Sequence, residues 1–297
     1  MIILNSFENL IEETELKNKK IYEIAQEEEA QSSEISVEKV RAKVKQNLLA
    51  MKSAITAGLK SDKKSSSGLC GNDCKKLVDK YAQNKLLFSK TYQNVILYAL
   101  ATIEQNARMG KIVACPTAGS CGIVPSVIIA ISESINADEE AQINALITAG
   151  AVGQIISAKM ALAGAVAGCQ SECGVAAAMA SAALVELYNG TNSQIINAVA
   201  LTLKNIMGLT CDPVAGLVEV PCVKRNVFLA IYAVTGAELA LADIESVIPV
   251  DEVTDAMQQV GEMMSPKLKE SSEAGLATTK TGLRITEELA GKWKEKI

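Results

Sequence analysis

The sequence predicts a mainly α-helical protein built from Ala- and Gly-rich buried helices. Three observations support this prediction. Apolar residues recur at helical spacing, residues 112–242 are crowded with Ala, Gly, Val and Ile, and the alternating runs typical of strands are scarce. Because a helix that is apolar all round is a buried helix, this middle region is expected to form the core.

The composition sets the scale of the fold and narrows the classes of function. The chain has 297 residues, of which 49% are hydrophobic and 3% aromatic, so the core must be packed from small aliphatic side chains. This length suits one large domain or two small ones. We expect a helical segment over residues 1–60 that continues into a helical domain over residues 61–297. The net charge of −5 argues against a protein devoted to nucleic acid, because such proteins present a positive surface.

The first 106 residues contain predicted helices and one polar loop. Ser36 precedes a run in which apolar residues share one helical face up to Met51. Residues 60–73 are rich in Ser, Lys and Gly and predict a loop. Helical patterns follow over residues 75–84 and 89–106.

The middle of the chain is as rich in apolar residues as a membrane protein, but its apolar runs are interrupted by polar and charged residues. Between residues 145 and 187, the apolar run is interrupted by Lys159, Gln170 and Glu172. No window therefore reaches the ~20 uninterrupted apolar residues that a membrane span needs. We expect no membrane contact and interpret the Ala and Gly residues as positions where buried helices pack closely.

Turn and capping residues divide the rest of the chain into further helices. Asn189-Gly190 predicts the end of one helix, and Asn192 or Ser193 is expected to cap the next. Helical patterns continue over residues 223–242 and 250–264, before a charged and polar tail over residues 265–297.

Two short loops have similar sequences and precede predicted helices. PTAGSCGIVP (residues 116–125) resembles PVAGLVEVP (residues 213–221), and each ends in a proline. Proline is favoured at the first position of a helix, where we expect Pro125. The free N–H groups of helix N-termini attract anions, so these loops are candidate anion sites. Pro and Gly also bracket ordinary loops between helices, which is the alternative interpretation.

The sequence contains no histidine and eight cysteines. Within this chain, the missing histidine excludes a Ser-His-Asp triad and any metal site with histidine ligands. The N-terminus has neither the basic nor the apolar region of a secretion signal. We therefore expect a cytoplasmic protein whose cysteines are reduced, buried or metal-bound.

Three of the cysteines stand at breaks in the helical pattern. Cys169, Cys211 and Cys222 each lie close to Gly or Pro, in AGCQSECG, GLTCDPVAG and EVPCVKRN. A cysteine that only packs in a core needs no such break, whereas thiolate ligands must turn towards a common point. An all-thiolate site favours zinc or an iron–sulfur cluster. The alternative for each cysteine taken singly is that it packs as a small apolar residue.

Four segments resemble the α subunit of iron–sulfur-dependent L-serine dehydratase, also called L-serine ammonia-lyase. They are SSGLCGND (66–73), ACPTAGSCGIVPSVI (114–128), GAVAGCQSECGVAAAMASAALVE (164–186) and GLTCDPVAGLVEVPCVKRN (208–226).

This resemblance implies a mostly helical catalytic chain whose buried helices pack around a cluster site. It implies a [4Fe–4S] cluster held by Cys169, Cys211 and Cys222, and an oxygen-sensitive lyase that converts L-serine to pyruvate and ammonia. It also implies a separate β subunit in a larger oligomer, and a place in amino-acid degradation and gluconeogenesis. Cys70 and Cys74 depart from the family pattern.

The substrate carboxylate is expected to bind at two loops that offer hydroxyl groups and backbone amides. The residues are Ser67 and Gly68 in the first loop and Thr117, Gly119 and Ser120 in the second. Ordinary capped turns are the alternative for both loops.

A general base must remove the Cα proton of serine, and histidine, the most common choice, is absent. Lys111, Lys159 and Glu172 are candidates, because a charge inside an apolar segment needs a reason. The alternatives are that these charges form buried ion pairs, or that the β subunit supplies the base.

Two other classes of function remain open on the sequence. One is a non-catalytic iron–sulfur or zinc protein that senses oxygen or iron. The other is a pyridoxal-phosphate dehydratase that uses a lysine Schiff base. No Gly-rich phosphate loop at a strand end favours the latter.

Overall fold

The computed structural model describes residues 5–83 and 87–294. Its helices are α1 (Phe7–Lys17), α2 (Ile21–Ser32), α3 (Val37–Lys60), α4 (Asp73–Tyr81), α5 (Lys90–Ala107), α6 (Ile123–Ile135), α7 (Glu139–Lys159), α8 (Gly164–Ala167), α9 (Val175–Leu187), α10 (Asn192–Lys204), α11 (Cys222–Leu241), α12 (Val250–Met263) and α13 (Lys280–Lys294). Within the described residues there is no β-strand, only isolated bridges. The prediction of a mainly α-helical fold is confirmed.

Helix α9 is the centre of the fold. All of its residues are buried, and it packs against α6, α7, α10 and α11. Its sequence, VAAAMASAALVEL, is dominated by alanine, and such small side chains let neighbouring helices come close. The Ala-rich region that the sequence marked as core therefore lies where it was predicted.

Two stretches of the middle region are long and apolar enough to cross a membrane, by length and composition alone. They are Ala118–Ile135 and Glu139–Lys159, and 78% and 61% of their most apolar 18-residue windows are buried inside the fold. Core helices show this burial, and it matches the interpretation of these segments as interior helices.

The N-terminal helices pack onto this core. Ser36 caps α3 as predicted, since its side chain accepts a hydrogen bond from the Lys39 N–H. Helix α3 crosses α5 closely: a Cβ atom on Gly58 would lie 2.1 Å from the carbonyl oxygen of Ala101. Helix α2 contacts α7, so residues 1–60 lie against two of the larger helices of the following segment.

Several predicted boundaries differ from the observed ones. Helix α4 begins earlier and ends earlier than the predicted 75–84, whose last residue lies outside the described residues. Thr191, not Asn192 or Ser193, caps α10, because its side chain accepts from the Gln194 N–H in a capping box. Pro125 occupies the third position of α6 rather than the first.

Candidate metal centre

Three breaks in the helical fold bring the predicted thiols to one region. Cys169 directly precedes a π-helical turn, Gln170–Gly174, that leads into α9. Cys211 lies in the loop after α10, and Cys222 is the first residue of α11. Each cysteine therefore stands where a helix begins or has ended, as the neighbouring Gly and Pro residues indicated.

Gly168 brings the segments of two of these cysteines together. Its φ of +77° lies in the left-handed region, and a Cβ atom there would come within 2.8 Å of the Leu209 carbonyl oxygen. The N–H of Gln170 donates to that same carbonyl at 3.0 Å. Because glycine adopts this backbone conformation without steric cost, the residues before Cys169 and Cys211 lie side by side.

The side chains of Cys169, Glu172 and Cys211 form a compact group of donors. One ligand atom from each lies within 4.8 Å of the other two, an arrangement that could hold a metal ion. The sulfur of Cys222 is buried and interacts electrostatically with Cys169 and Glu172, but it lies outside this group. The structure thus brings two predicted ligands together with the third nearby, and adds a carboxylate that was considered only as a base.

The chemistry of these donors suits a thiolate-bound group. A Cβ atom on Gly164 would lie 3.0 Å from the Cys211 sulfur and 3.1 Å from a carboxylate oxygen of Glu172, so the glycine allows both donor side chains to approach the backbone closely. All eight cysteines are free. Because soft thiolates select zinc or iron–sulfur clusters, the donor set fits the group expected from the sequence.

The thiols of this region differ in acidity. Hydrogen bonds from Cys173 and Cys211 lower the pKa of Cys169 despite its burial, and the charge of Arg225 acts in the same direction. Burial raises the pKa of Cys222 to about 12. Since a metal binds thiolates and displaces their protons, these neighbours favour the form of Cys169 that a metal would bind.

The polar tail of the chain folds back on Cys211. The Cys211 N–H donates to the Leu268 carbonyl at 2.8 Å, and the Glu270 N–H donates to the Cys211 carbonyl at 2.7 Å. Together they form an isolated parallel bridge between Cys211 and Lys269. The residues after α12 therefore hold the backbone of a candidate ligand, a contact that the charged pattern of the tail did not predict.

Arg225 and Asp212 form a largely buried ion pair beside Cys169. Nη2 of Arg225 lies 2.7 Å from Oδ1 of Asp212, and the two side chains are 16% and 6% exposed. Nη1 donates to the Thr210 carbonyl at 2.9 Å and to the Cys169 sulfur at 3.4 Å. The sequence analysis singled out neither residue, and the structure places the pair beside a candidate ligand.

The second predicted loop faces Glu172. The Thr117 hydroxyl donates to Oε1 of Glu172, and a Cβ atom on Gly119 would lie 2.5 Å from that oxygen. The buried Ser120 hydroxyl donates to the Cys115 carbonyl at 3.1 Å. Burial raises the pKa of Glu172 to about 7, against the opposing effect of the Thr117 hydrogen bond. The loop therefore holds a carboxylate of the protein itself.

Glu219 collects the hydrogen bonds of the first predicted loop. Its Oε2 accepts from the Ser65 hydroxyl at 2.6 Å, the Ser67 hydroxyl at 2.8 Å and the Cys70 thiol at 3.0 Å. Gly68, at the exposed tip of this loop, has a φ of +81°. Each of the two loops predicted from the sequence thus directs a hydroxyl group to a buried or half-buried glutamate.

Asn226 connects the second loop to the start of α11. Its Oδ1 accepts from the Gly122 N–H at 2.9 Å, and its Nδ2 donates to the carbonyl oxygens of Gly119 at 2.7 Å and Cys222 at 3.1 Å. The side chain is fully buried. A lone amide inside an apolar helix was the sequence signal that could have identified it.

Among the three candidate bases, only Glu172 belongs to the close donor group. Lys111 is exposed. Lys159 forms ion pairs with Asp251 at 2.9 Å and Asp255 at 3.2 Å on α12, as the alternative interpretation of a paired charge expected. The structure therefore leaves Glu172 as the candidate at the metal centre.

Residues 16–277 match the family model described as serine dehydratase alpha chain. The chain is 42% identical to a probable L-serine dehydratase, alpha chain, from Bacillus subtilis, covering 97% of this chain and 96% of that protein. It is 39% identical to the L-serine dehydratase, alpha chain, of Peptoniphilus asaccharolyticus, covering 95% and 97%.

A longer relative matches over part of its length. The L-serine dehydratase of Helicobacter pylori is 42% identical over 188 residues, which are 62% of this chain and 41% of that protein.

Proposed function

Because this chain belongs to the serine dehydratase alpha chain family, we propose that it is the catalytic chain of an L-serine dehydratase. As a lyase it removes water from L-serine, and the products are pyruvate and ammonia. The structural observation that carries the proposal is the convergence of Cys169, Cys211 and Glu172 at helix breaks in an otherwise apolar core. Of the lysines singled out from the sequence, Lys111 is exposed and Lys159 pairs with Asp251 and Asp255, so neither favours a Schiff-base mechanism.

We propose that Cys169, Cys211 and Cys222 hold a [4Fe–4S] cluster. When bound through three thiolates, such a cluster supplies an open iron that acts as a Lewis acid towards the leaving hydroxyl group. The support for this group is the buried set of free thiols, two of which meet in one compact donor group. A single ion held by Cys169, Cys211 and Glu172 is the competing occupant.

Glu172 is the proposed base. Its carboxylate takes the proton from Cα of serine, the Cα–H electrons form the Cα–Cβ double bond, and the hydroxyl group leaves Cβ with its electron pair. The resulting enamine tautomerises and hydrolyses to pyruvate and ammonia without further help. Glu172 is half-buried, and its carboxylate lies beside the sulfurs of Cys169 and Cys211.

Thr117 and Gly119 position that base. The Thr117 hydroxyl holds Oε1 of Glu172, while the missing side chain of Gly119 leaves room for the same oxygen. The loop also keeps its backbone position through Asn226. The chain therefore restrains the carboxylate from two sides.

Replacing Thr117 with valine is expected to lower kcat for serine by about 10- to 100-fold, because a hydrogen bond to a charged group contributes ~1.5–3 kcal/mol. Iron content should not change, since the hydroxyl is not a ligand. Thr148→Val is the matched control, because the Thr148 hydroxyl donates at 3.3 Å to another buried carboxylate, Glu186. A rise in KM at constant kcat would instead place the Thr117 hydroxyl on the substrate carboxylate, as the sequence analysis expected.

We propose that the active enzyme contains a second, β chain. Relatives that match this chain over nearly their whole length are named alpha chains, a name that implies a multi-subunit enzyme. The Helicobacter pylori relative matches over only 41% of its length, so its single chain has room for further parts. The eight free cysteines support a reducing compartment, and we place the enzyme in the cytoplasm.

Anaerobic pyruvate formation from L-serine tests the function. Protein purified in air is expected to lack iron and sulfide and to have low activity, because an open iron is not shielded by a fourth thiolate. Iron, sulfide and a reductant should restore both the cluster and turnover. The assay is run on the chain alone and with its co-purified partner. Full activity after prolonged exposure to air and chelator, or a stoichiometric zinc content with no sulfide, would contradict the proposed cofactor.

A further inference from the structure

We propose that Arg225 is a positioning residue that tunes the redox properties of the bound cluster through the sulfur of Cys169. The inference rests on the proposed function, since it takes Cys169 as a cluster ligand. It adds a role for an ion pair that the helix pattern and the spacing of the cysteines do not indicate.

The geometry directs one arm of the guanidinium at the sulfur. Nη1 of Arg225 lies 3.4 Å from Sγ of Cys169, within the usual range for a hydrogen bond to sulfur. The same nitrogen also donates to the Thr210 carbonyl at 2.9 Å. This carbonyl directly precedes Cys211, so one side chain contacts the segments of two candidate ligands.

Asp212 holds the guanidinium in that position. Its Oδ1 accepts from Nη2 of Arg225 at 2.7 Å, while its Oδ2 accepts from the Leu276 N–H at 2.8 Å. A Cβ atom on Gly275 would lie 2.5 Å from Oδ2, so the backbone packs directly against the carboxylate. Both carboxylate oxygens of Asp212 therefore accept hydrogen bonds. Because the guanidinium group of arginine is planar and rigid, this contact fixes the direction of its N–H groups.

A hydrogen-bond donor held against a ligand sulfur changes the relative stability of the reduced and oxidised forms of the cluster. Hydrogen bonds to the sulfurs are among the features that set the potential of iron–sulfur clusters. One-electron reduction makes the cluster more negative, so a positive donor at Cys169 stabilises the reduced form more than the oxidised form. Removing the donor should therefore shift the midpoint potential to more negative values.

The test is an anaerobic redox titration of the reconstituted enzyme, monitored by EPR. The double variant Arg225→Gln/Asp212→Asn removes both charges of the pair and avoids leaving a buried unpaired carboxylate. We expect about a tenfold lower ratio of reduced to oxidised cluster at a fixed potential, which is ~59 mV for a one-electron couple. Arg225→Lys keeps the positive charge but loses the planar guanidinium group that donates to Asp212 and to the sulfur at the same time. This variant should shift the midpoint potential in the same direction by a smaller amount.

Lys224→Gln is the matched control. This variant removes one positive charge at the residue next to Arg225. Because Lys224 pairs with Asp73 and not with a sulfur, the midpoint potential of the cluster in this variant should equal that in the wild-type protein. An unchanged potential in both Arg225 variants, with or without a rise in KM, overturns the inference. If the wild-type protein takes up no iron and sulfide, the proposed cofactor is wrong and this inference fails with it. If the cluster loads but its potential is unchanged in the variants, only the role of Arg225 is wrong.

Discussion

Replacing Cys169, Cys211 or Cys222 by serine, one at a time, is expected to abolish both the iron content and the turnover of the enzyme. Serine is a hard and weakly acidic ligand that does not replace a thiolate on iron, and three thiolates are the proposed attachment of the whole cluster. The measurement is iron and sulfide per chain after anaerobic reconstitution, together with the visible absorption of the cluster and the rate of pyruvate formation.

Cys74→Ala is the control for the loss of a buried cysteine. The Cys74 thiol is buried in a small apolar cluster and its sulfur lies 3.9 Å from the Leu97 carbonyl oxygen, so this variant should retain its iron. Cys222 is the most informative of the three, because its sulfur lies outside the compact donor group. A Cys222→Ser enzyme with a full cluster and normal turnover would remove Cys222 from the ligand set and favour Glu172 or Cys173 in its place.

Replacing Glu172 with glutamine is expected to lower kcat by about 10²- to 10⁴-fold, the usual contribution of a positioned acid or base. The substitution keeps the shape of the side chain and its hydrogen bond with Thr117 but removes the ability to accept a proton. The iron content should remain, because the cluster is attached through cysteines. Steady-state kinetics and iron analysis on the same preparation separate these two effects.

Glu186→Gln is the matched control, since Glu186 is a buried carboxylate on α9 that also accepts from a threonine. Its kcat should be unchanged. If Glu172→Gln retains normal turnover in the complex with the partner chain, the base is supplied by that partner. If Glu172→Gln loses its iron, the carboxylate is a ligand of a metal and not the base.

Much of the fold could be predicted because it depends on short-range patterns. Ser36 was expected to open α3 because a hydroxyl before an apolar run satisfies a free backbone N–H, and it does. Boundaries were less accurate where two residues of similar capping ability stand together, as at Thr191 and Asn192. A cap depends on backbone angles that neighbouring residues of similar chemistry can each adopt.

Part of the candidate site could also be predicted. A cysteine beside Gly or Pro indicates a sulfur turned out of a helix, and Cys169 and Cys211 do meet. The partners of the hydroxyl groups could not be predicted. Thr117 was expected to face a substrate, and its hydroxyl instead donates to Glu172 from a loop far away in the chain.

The sequence by itself determined that the protein is helical, that its middle region is buried, and that its cysteines at helix breaks are candidate ligands. These properties follow from periodicity, composition and the backbone preferences of Gly and Pro, which act over a few residues. Only the tertiary structure decided that Arg225 pairs with Asp212 beside Cys169, and that the polar tail holds Cys211. Such contacts depend on how helices and loops that are distant in the chain pack together. The spacing of residues along the chain does not determine which of these distant residues meet in space.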